Sequence, residues 1–200
     1  MSNNEEDVVE ELCLQFAASI ELSASGRIPR INTIEDFEQH IGGICSAIFK
    51  DLGSTERERT YQVCLMKDLE KAGLEVQDEA QIAVRRGGEV VAHRRADLVV
   101  TTPADGKRIV LELKAVITLN EKQNYLEQLE FYMHHLDVDT GYLINFPHDN
   151  RFPTVPGTFL FSHTCIHGKY PALSDRRLRF KQENALVQIE KVSRKKIARR

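Results

Sequence analysis

Apolar positions recur at helical spacing through the N-terminal third of the chain and then change to the two-residue period of strands. Val9, Leu12, Cys13, Phe16 and Ile20 form one stripe, which predicts an amphipathic N-terminal helix. Gly26 to Asn32, with Pro29, reads as a linker. Ile34, Phe37, Ile41, Ile44 and Ile48 share one face of a second helix, which Gly53 ends. Gly42-Gly43 inside it costs stability, a cost expected where another element packs close. Tyr61, Cys64, Leu65 and Leu69 mark a third helix, ended by Gly73. Three strands follow, near 80–86, 89–101 and 107–116, joined by Gly87-Gly88 and by Pro103-Ala104-Asp105-Gly106 as an antiparallel meander. A helix over about 121–136 crosses to a strand at Gly141 to Phe146. The order α-β-β-β-α-β is an α/β (α+β) sandwich. Phe159-Leu160-Phe161 suits an extra edge strand. The chain divides into 1–30 (helix and linker), 31–147 (the central domain) and 148–200 (a C-terminal extension).

The second turn places chemistry. With Ala104 and Asp105 as its two loop residues, Pro103 pairs with Gly106, and the same register sets Asp97 opposite Glu112. Their Cβ atoms would lie about 5 Å apart. Lys114, two residues beyond Glu112, projects from the same face. Neighbouring carboxylates repel unless a cation or a proton joins them. Mg²⁺ or Mn²⁺ is the natural cation for such oxygen ligands. Lysine would add positive charge where charge develops in phosphoryl transfer. The alternative is a hairpin face whose charges are merely solvated, and a slip of one residue would undo the pairing.

Composition leaves this picture standing. The 200 residues are 42% hydrophobic and 28% charged, which fits one folded domain. No apolar stretch is long enough to span a membrane. The start, Met1-Ser2-Asn3-Asn4-Glu5-Glu6-Asp7, is acidic and lacks the pattern of a secretory signal, so an intracellular site, cytoplasmic or nuclear, is expected. Cys13, Cys45, Cys64 and Cys165 are widely spaced and read as reduced thiols. Charge is uneven. From Leu173 onward ten basic residues oppose three acidic ones, a net of +7 in a chain of net −3, so the preceding residues carry −10. The tail Arg194 to Arg200 could serve as a nucleic-acid arm, as an import signal, or as a solvated terminus. His163, Cys165 and His167 alternate on one strand face, but ordinary edge residues explain them better than zinc, which lacks a fourth ligand here.

The runs RRADLVV, LELKAV, LEQLEFY and GYLINFP, in this order, resemble the GxxExxY family, a branch of the PD-(D/E)XK nuclease superfamily. Gly53, Glu58 and Tyr61 are similar to the segment that names the family, with Thr55 in place of its second glycine. Ala96 stands at the proline of the PD signature, Pro147 stands where the branch tends to have glycine, and the segment after Lys114 is longer by about two residues. The resemblance covers residues 34 to 147.

It implies a restriction-endonuclease-like core, a mixed sheet flanked by helices. It also implies a divalent-metal-dependent endo- or exonuclease that hydrolyses phosphodiester bonds, of DNA before RNA, with Mg²⁺ or Mn²⁺ as cofactor. Asp97 and Glu112 would ligate the metal, and Glu58 would complete its shell or that of a second metal. Lys114 would position the attacking water and stabilise the developing charge. Gln128 would orient groups near the site. Glu58 has a second reading, as the closing residue of a capping box begun by Thr55. Gln128 could be solvated, although Tyr125 and Tyr132 share its helical face. Tyr132 reads as a packing residue, and Arg95 as at most a phosphate contact. Two other classes stay open: a catalytically silent module that binds nucleic acid or a protein, and an assembly role for the N-terminal helix. Pairing as a homodimer, each site cutting one strand, is also open. No membrane partner is expected.

Overall fold

The helix after the linker starts where its cap dictates. In the computed structural model, which describes residues 28–117, 119, 122–148, 154–166 and 185–194, helix α1 spans Ile34–Leu52. Thr33 Oγ1 accepts the Asp36 N–H at 3.1 Å and Asp36 Oδ2 accepts the Thr33 N–H at 3.1 Å, a complete capping box. Its buried face carries Phe37, Ile41, Ile44 and Ile48, the stripe read from periodicity. The N-terminal helix, Cys13, His167 and the tail beyond Arg194 lie outside the described residues.

Helix α2 runs Glu58–Lys71. Its N-cap is Arg57, with no side-chain cap bond, so the capping box expected from Thr55 to Glu58 does not form. The helix begins two residues later than that box requires, and Glu58 is its first residue. Tyr61, from this helix, stacks on Phe146 with ring centroids 4.4 Å apart and donates its hydroxyl to the Gly53 carbonyl.

Strands β1 (Glu75–Arg86) and β2 (Glu89–Thr101) form a long antiparallel ribbon. Gly87 and Gly88 turn it with φ of 61° and 88°, the left-handed pair that a tight hairpin turn needs. β1 starts five residues earlier than expected, because Glu75 to Glu79 mix polar side chains into an edge strand and show no apolar run. β3 (Arg108–Lys114) pairs with β2 from Leu98↔Leu111 to Thr101↔Arg108, the predicted register. The turn is wider than predicted. The Thr102 N–H donates to the Lys107 carbonyl, leaving Pro103 to Gly106 as a four-residue loop. Adding one loop residue on each side leaves the register unchanged.

Helix α3 (Lys122–His135) crosses to β4 (Thr140–Asn145), which lies parallel to β3. Strand β5 (Thr154–Ile166) forms the far edge, as the Phe159 run suggested. Strand β6 (Ala185–Arg194) enters between β4 and β5, giving the order β1-β2-β3-β4-β6-β5. Part of the C-terminal stretch read as a basic tail is thus an interior strand. Val187, Ile189 and Val192 are buried, Lys191 pairs with Glu38, and the Arg194 N–H donates to the Asp139 carbonyl. Charged residues hid a strand of which Val187, Ile189 and Val192 are buried and Leu186 is half-buried.

The sheet is covered on both faces. One core joins α1 and α2 to Leu98, Val100, Ile109, Leu111 and Leu113. The other lies under α3 and holds Ala80, Ile82, Ala96, Val99 and Val110. β3 is therefore buried on both sides, which explains its unbroken apolar run. Among the described residues no helix is long and apolar enough to cross a membrane.

The glycine pair in α1 does separate work. A Cβ on Gly42 would enter the Phe159 ring, whereas one on Gly43 meets nothing within 4 Å. Gly43→Ala is expected to stabilise by about 0.5–1 kcal/mol from helix propensity. Gly42→Ala is expected to lose more than that gain, since overpacking costs about 1–3 kcal/mol. Denaturant midpoints of the two variants should move in opposite directions.

Candidate active site

β2 and β3 stop pairing at Leu98 and Leu111, one residue short of the facing carboxylates. Beyond that point β3 stays with β4, and β2 leaves with β1. Side chains satisfy the backbone groups freed by the parting. Asp97 Oδ2 accepts the Leu113 N–H at 2.7 Å. Gln62 Nε2, from α2, donates to the Asp97 carbonyl at 3.1 Å and to Asp78 Oδ1 at 2.9 Å. The gap is thus built, and it brings Asp97, Glu112 and Lys114 together.

Glu112 is 1% exposed. Its Oε1 accepts Lys114 Nζ at 2.6 Å, while Oε2 is buried with no partner among the described residues. Burial, then the charges of Asp97 and Glu58, raise its pKa to about 7 against the pull of Lys114. Burial likewise raises Asp97, opposed by the Leu113 N–H and Lys114. Lys114 is 12% exposed, donates also to its neighbour's carbonyl, Leu113 O, at 2.7 Å, and lies 5.3 Å from the Tyr125 ring centre. Burial opposes its charge, but Glu112, Glu58 and Asp97 outweigh that and hold it above its ordinary value.

Glu58, at the head of α2, is half-buried and raised by burial, then lowered by Lys114 and raised by Asp97. It belongs to the same electrostatic cluster. Gln128 sits on α3 and donates to the Tyr132 hydroxyl at 2.8 Å instead of to a carboxylate. Tyr132 is buried, as a packing residue should be. Gln128 and Tyr132 line a hollow of about 670 Å³ with Arg94, Arg95 and Phe131, and a second hollow beside it reaches Asp97. Among the described residues no three His, Cys, Asp or Glu side chains form a ready-made metal cage, and Lys114 Nζ lies on Glu112 in place of one. The donors nonetheless suit a hard divalent ion. All are carboxylates, one oxygen is buried without a partner, and two of the acids are destabilised by being charged together.

Sequence reading missed several supports. Gln62 follows Glu58 by four residues on one helix face, and that spacing was its only signal. Arg59 grips Asp78 with two bonds of 2.8 and 2.7 Å, and the first effect of that grip is to hold Asp78 below the usual carboxylate range. Glu79, opposite Asp97, has φ of 48°, a left-handed backbone that glutamate rarely adopts. Alternation reverses there: Ala80 and Ala96 face α3, while Leu98 and Val100 face α1 and α2. Arg95 pairs with Glu79 at 2.8 Å. Nothing in the residue types announces that twist.

A family model described as the PD-(D/E)XK nuclease superfamily matches residues 35–155, more than half of the chain. The chain belongs to the PD-(D/E)XK nuclease superfamily. No curated protein matches the chain. The crystal structure of SSO0001 is similar at 14% identity, covering 67% of this chain and 71% of that one, with a TM-score of 0.30. The mixed six-stranded sheet with helices on both faces fits a restriction-endonuclease-like fold. Nucleases of the superfamily generally use divalent metals.

The buried acid makes a pH prediction. Glu112 binds its proton more tightly folded (about 7) than at its ordinary value of 4.5. Its contribution is complete below 4.5 and is lost as pH rises through 7. At most about 3 kcal/mol is involved. Metal-free protein should therefore show a fall in stability over this window that Glu112→Gln removes, read as thermal midpoints of the two proteins at matched pH. Added Mg²⁺ should flatten the wild-type curve.

Proposed function

We propose that the protein is a divalent-metal-dependent nuclease of the GxxExxY branch that hydrolyses phosphodiester bonds of DNA. The observation that carries this reading is the buried Glu112, one oxygen unpartnered, set beside Asp97 and Lys114 in a gap the fold maintains. A fold gains no stability from such a cluster, so its chemistry is the better explanation.

Asp97 and Glu112 would hold Mg²⁺ or Mn²⁺, with Glu58 completing the shell. When bound, the ion supplies an activated water and neutralises phosphoryl charge. Lys114, kept charged by three acids, donates from Nζ toward the water or the phosphate oxygens. Gln128 anchors Tyr132 and so fixes the wall of α3 beside the gap. Gln62 holds Asp97 in place through its carbonyl and acts as a positioning residue. Gly53 and Tyr61, joined by one hydrogen bond, tie the loop before Glu58 to α2, which supports the branch assignment.

One observation favours a silent binding module: no three-carboxylate cage stands ready among the described residues. Turnover decides between the two. Purified protein is incubated with supercoiled plasmid, linear duplex, single-stranded DNA and RNA, with Mg²⁺, Mn²⁺ or EDTA. Cleavage of DNA is expected with metal and not with EDTA. Asp97→Ala and Lys114→Ala should each lower it by about 10²-fold or more while the fold survives. Intact substrates under every condition would sink the nuclease reading.

A further inference from the structure

The basic residues near the site stand on an element of their own. Strand β2 pairs with β3 only over Leu98 to Thr101, while its pairing with β1 continues to the Gly87-Gly88 turn. Every residue from Arg85 to Arg95 is exposed. These positions hold four arginines and one histidine against one acid, Glu89, in a body that is otherwise acidic. The ribbon spans nine residues from Asp97 to Gly88, or about 30 Å at 3.3 Å per residue. Two of the three large hydrophobic side chains most exposed among the described residues, Val90 at 42% and Val91 at 57%, lie at its far end.

At the near end the ribbon borders the site. Arg94 and Arg95 line both hollows, and one of these reaches Asp97. Arg95 is partly neutralised by Glu79. Arg94 lies 4.7 Å over the Phe131 ring and has no ion pair among the described residues. It covers that ring and orients a guanidinium, so the wall offers a fixed cation in place of a bare stacking surface. A chain of cations leading about 30 Å from the carboxylates matches the phosphates of about nine base pairs of duplex. A two-stranded β-ribbon fits the major groove of B-form DNA, whereas the major groove of A-form RNA is too deep and narrow for it.

We propose that the β1–β2 ribbon is the arm by which this protein holds double-stranded DNA. Arg94 takes a phosphate next to the site, and Arg85 and Arg86 contact the flanking duplex from the tip. This rests on the nuclease reading of the same site, and the test separates the two.

Binding is measured in EDTA over a salt series, using labelled duplex DNA of several helical turns, its single strand, and duplex RNA. Wild type is compared with Arg94→Gln and with Arg85→Gln/Arg86→Gln, all at exposed positions, and thermal midpoints check that each variant stays folded. Each variant is expected to lose about tenfold or more in duplex-DNA affinity, with the salt slope shallower by about one per phosphate contact removed. Single-strand and duplex-RNA binding should change little. Unchanged duplex affinity in both variants, an equal loss on single strands or duplex RNA, or no duplex binding by the wild type would overturn the proposal. Cleavage with metal is scored in parallel. Ribbon-dependent binding without cleavage under any metal would remove the nuclease reading and leave the arm. Cleavage undiminished in the ribbon variants would do the reverse.

Discussion

One hydrogen bond governs the architecture: the Leu113 N–H donated to the carboxylate of Asp97. It replaces a rung of the β2–β3 ladder with a side chain and so lets two paired strands part without orphaning a buried donor. Gln62 does the same for the Asp97 carbonyl. If the ladder ran on, Asp97 and Glu112 would face each other across closed strands, with no gap between them for a substrate. The parting also leaves the β1–β2 ribbon unpaired with β3, so the site and the ribbon beside it share one cause.

The arrangement is costly in ways that a purely structural element avoids. Glu112 is buried with one oxygen unpartnered, Asp97 and Glu58 are pushed up by burial, and Glu79 holds a left-handed backbone. Lys114 offsets part of this by lying on Glu112 and facing three acids. Two cores on either side carry the load. Helices α1 and α2 cover one face and α3 the other, so β3 is held rigidly while it presents charged residues at its end. Strain and buried charge concentrated at the mouth of a well-packed sheet are the pattern expected of a site built for chemistry.

Charge is distributed with equal purpose. In the C-terminal stretch Lys191 and Arg194 are engaged by Glu38 and by backbone carbonyls. β6 is an interior strand whose cations serve the fold. The cations beside the site are instead Lys114 and the β2 arginines Arg94 and Arg95. The sequence shows the total charge and its position along the chain. It does not show which cations point at solvent, which at acids and which at the gap.

What the amino-acid order determined by itself is local or symmetric. The helix stripes of α1 and α2, the Gly87-Gly88 turn, the β2–β3 register and the Asp97, Glu112 and Lys114 set follow from periodicity and turn chemistry. Each depends on residues close in the chain or related by one hairpin. The widened loop left the register intact because it grew by one residue on each side. Tertiary structure decided the rest. α2 starts at Glu58 with Arg57 as its N-cap, so the Thr55-to-Glu58 pattern did not set its start. β6 was hidden because its pairing partners on β4 and β5 are 28 or more residues away in sequence, and only their pairing buries Val187 and Ile189. The supports of Asp97 came from Gln62 on a different element, and the twist at Glu79 arose where two strands separate. Such contacts are made by side chains meeting across the fold, and no window of local sequence contains both partners.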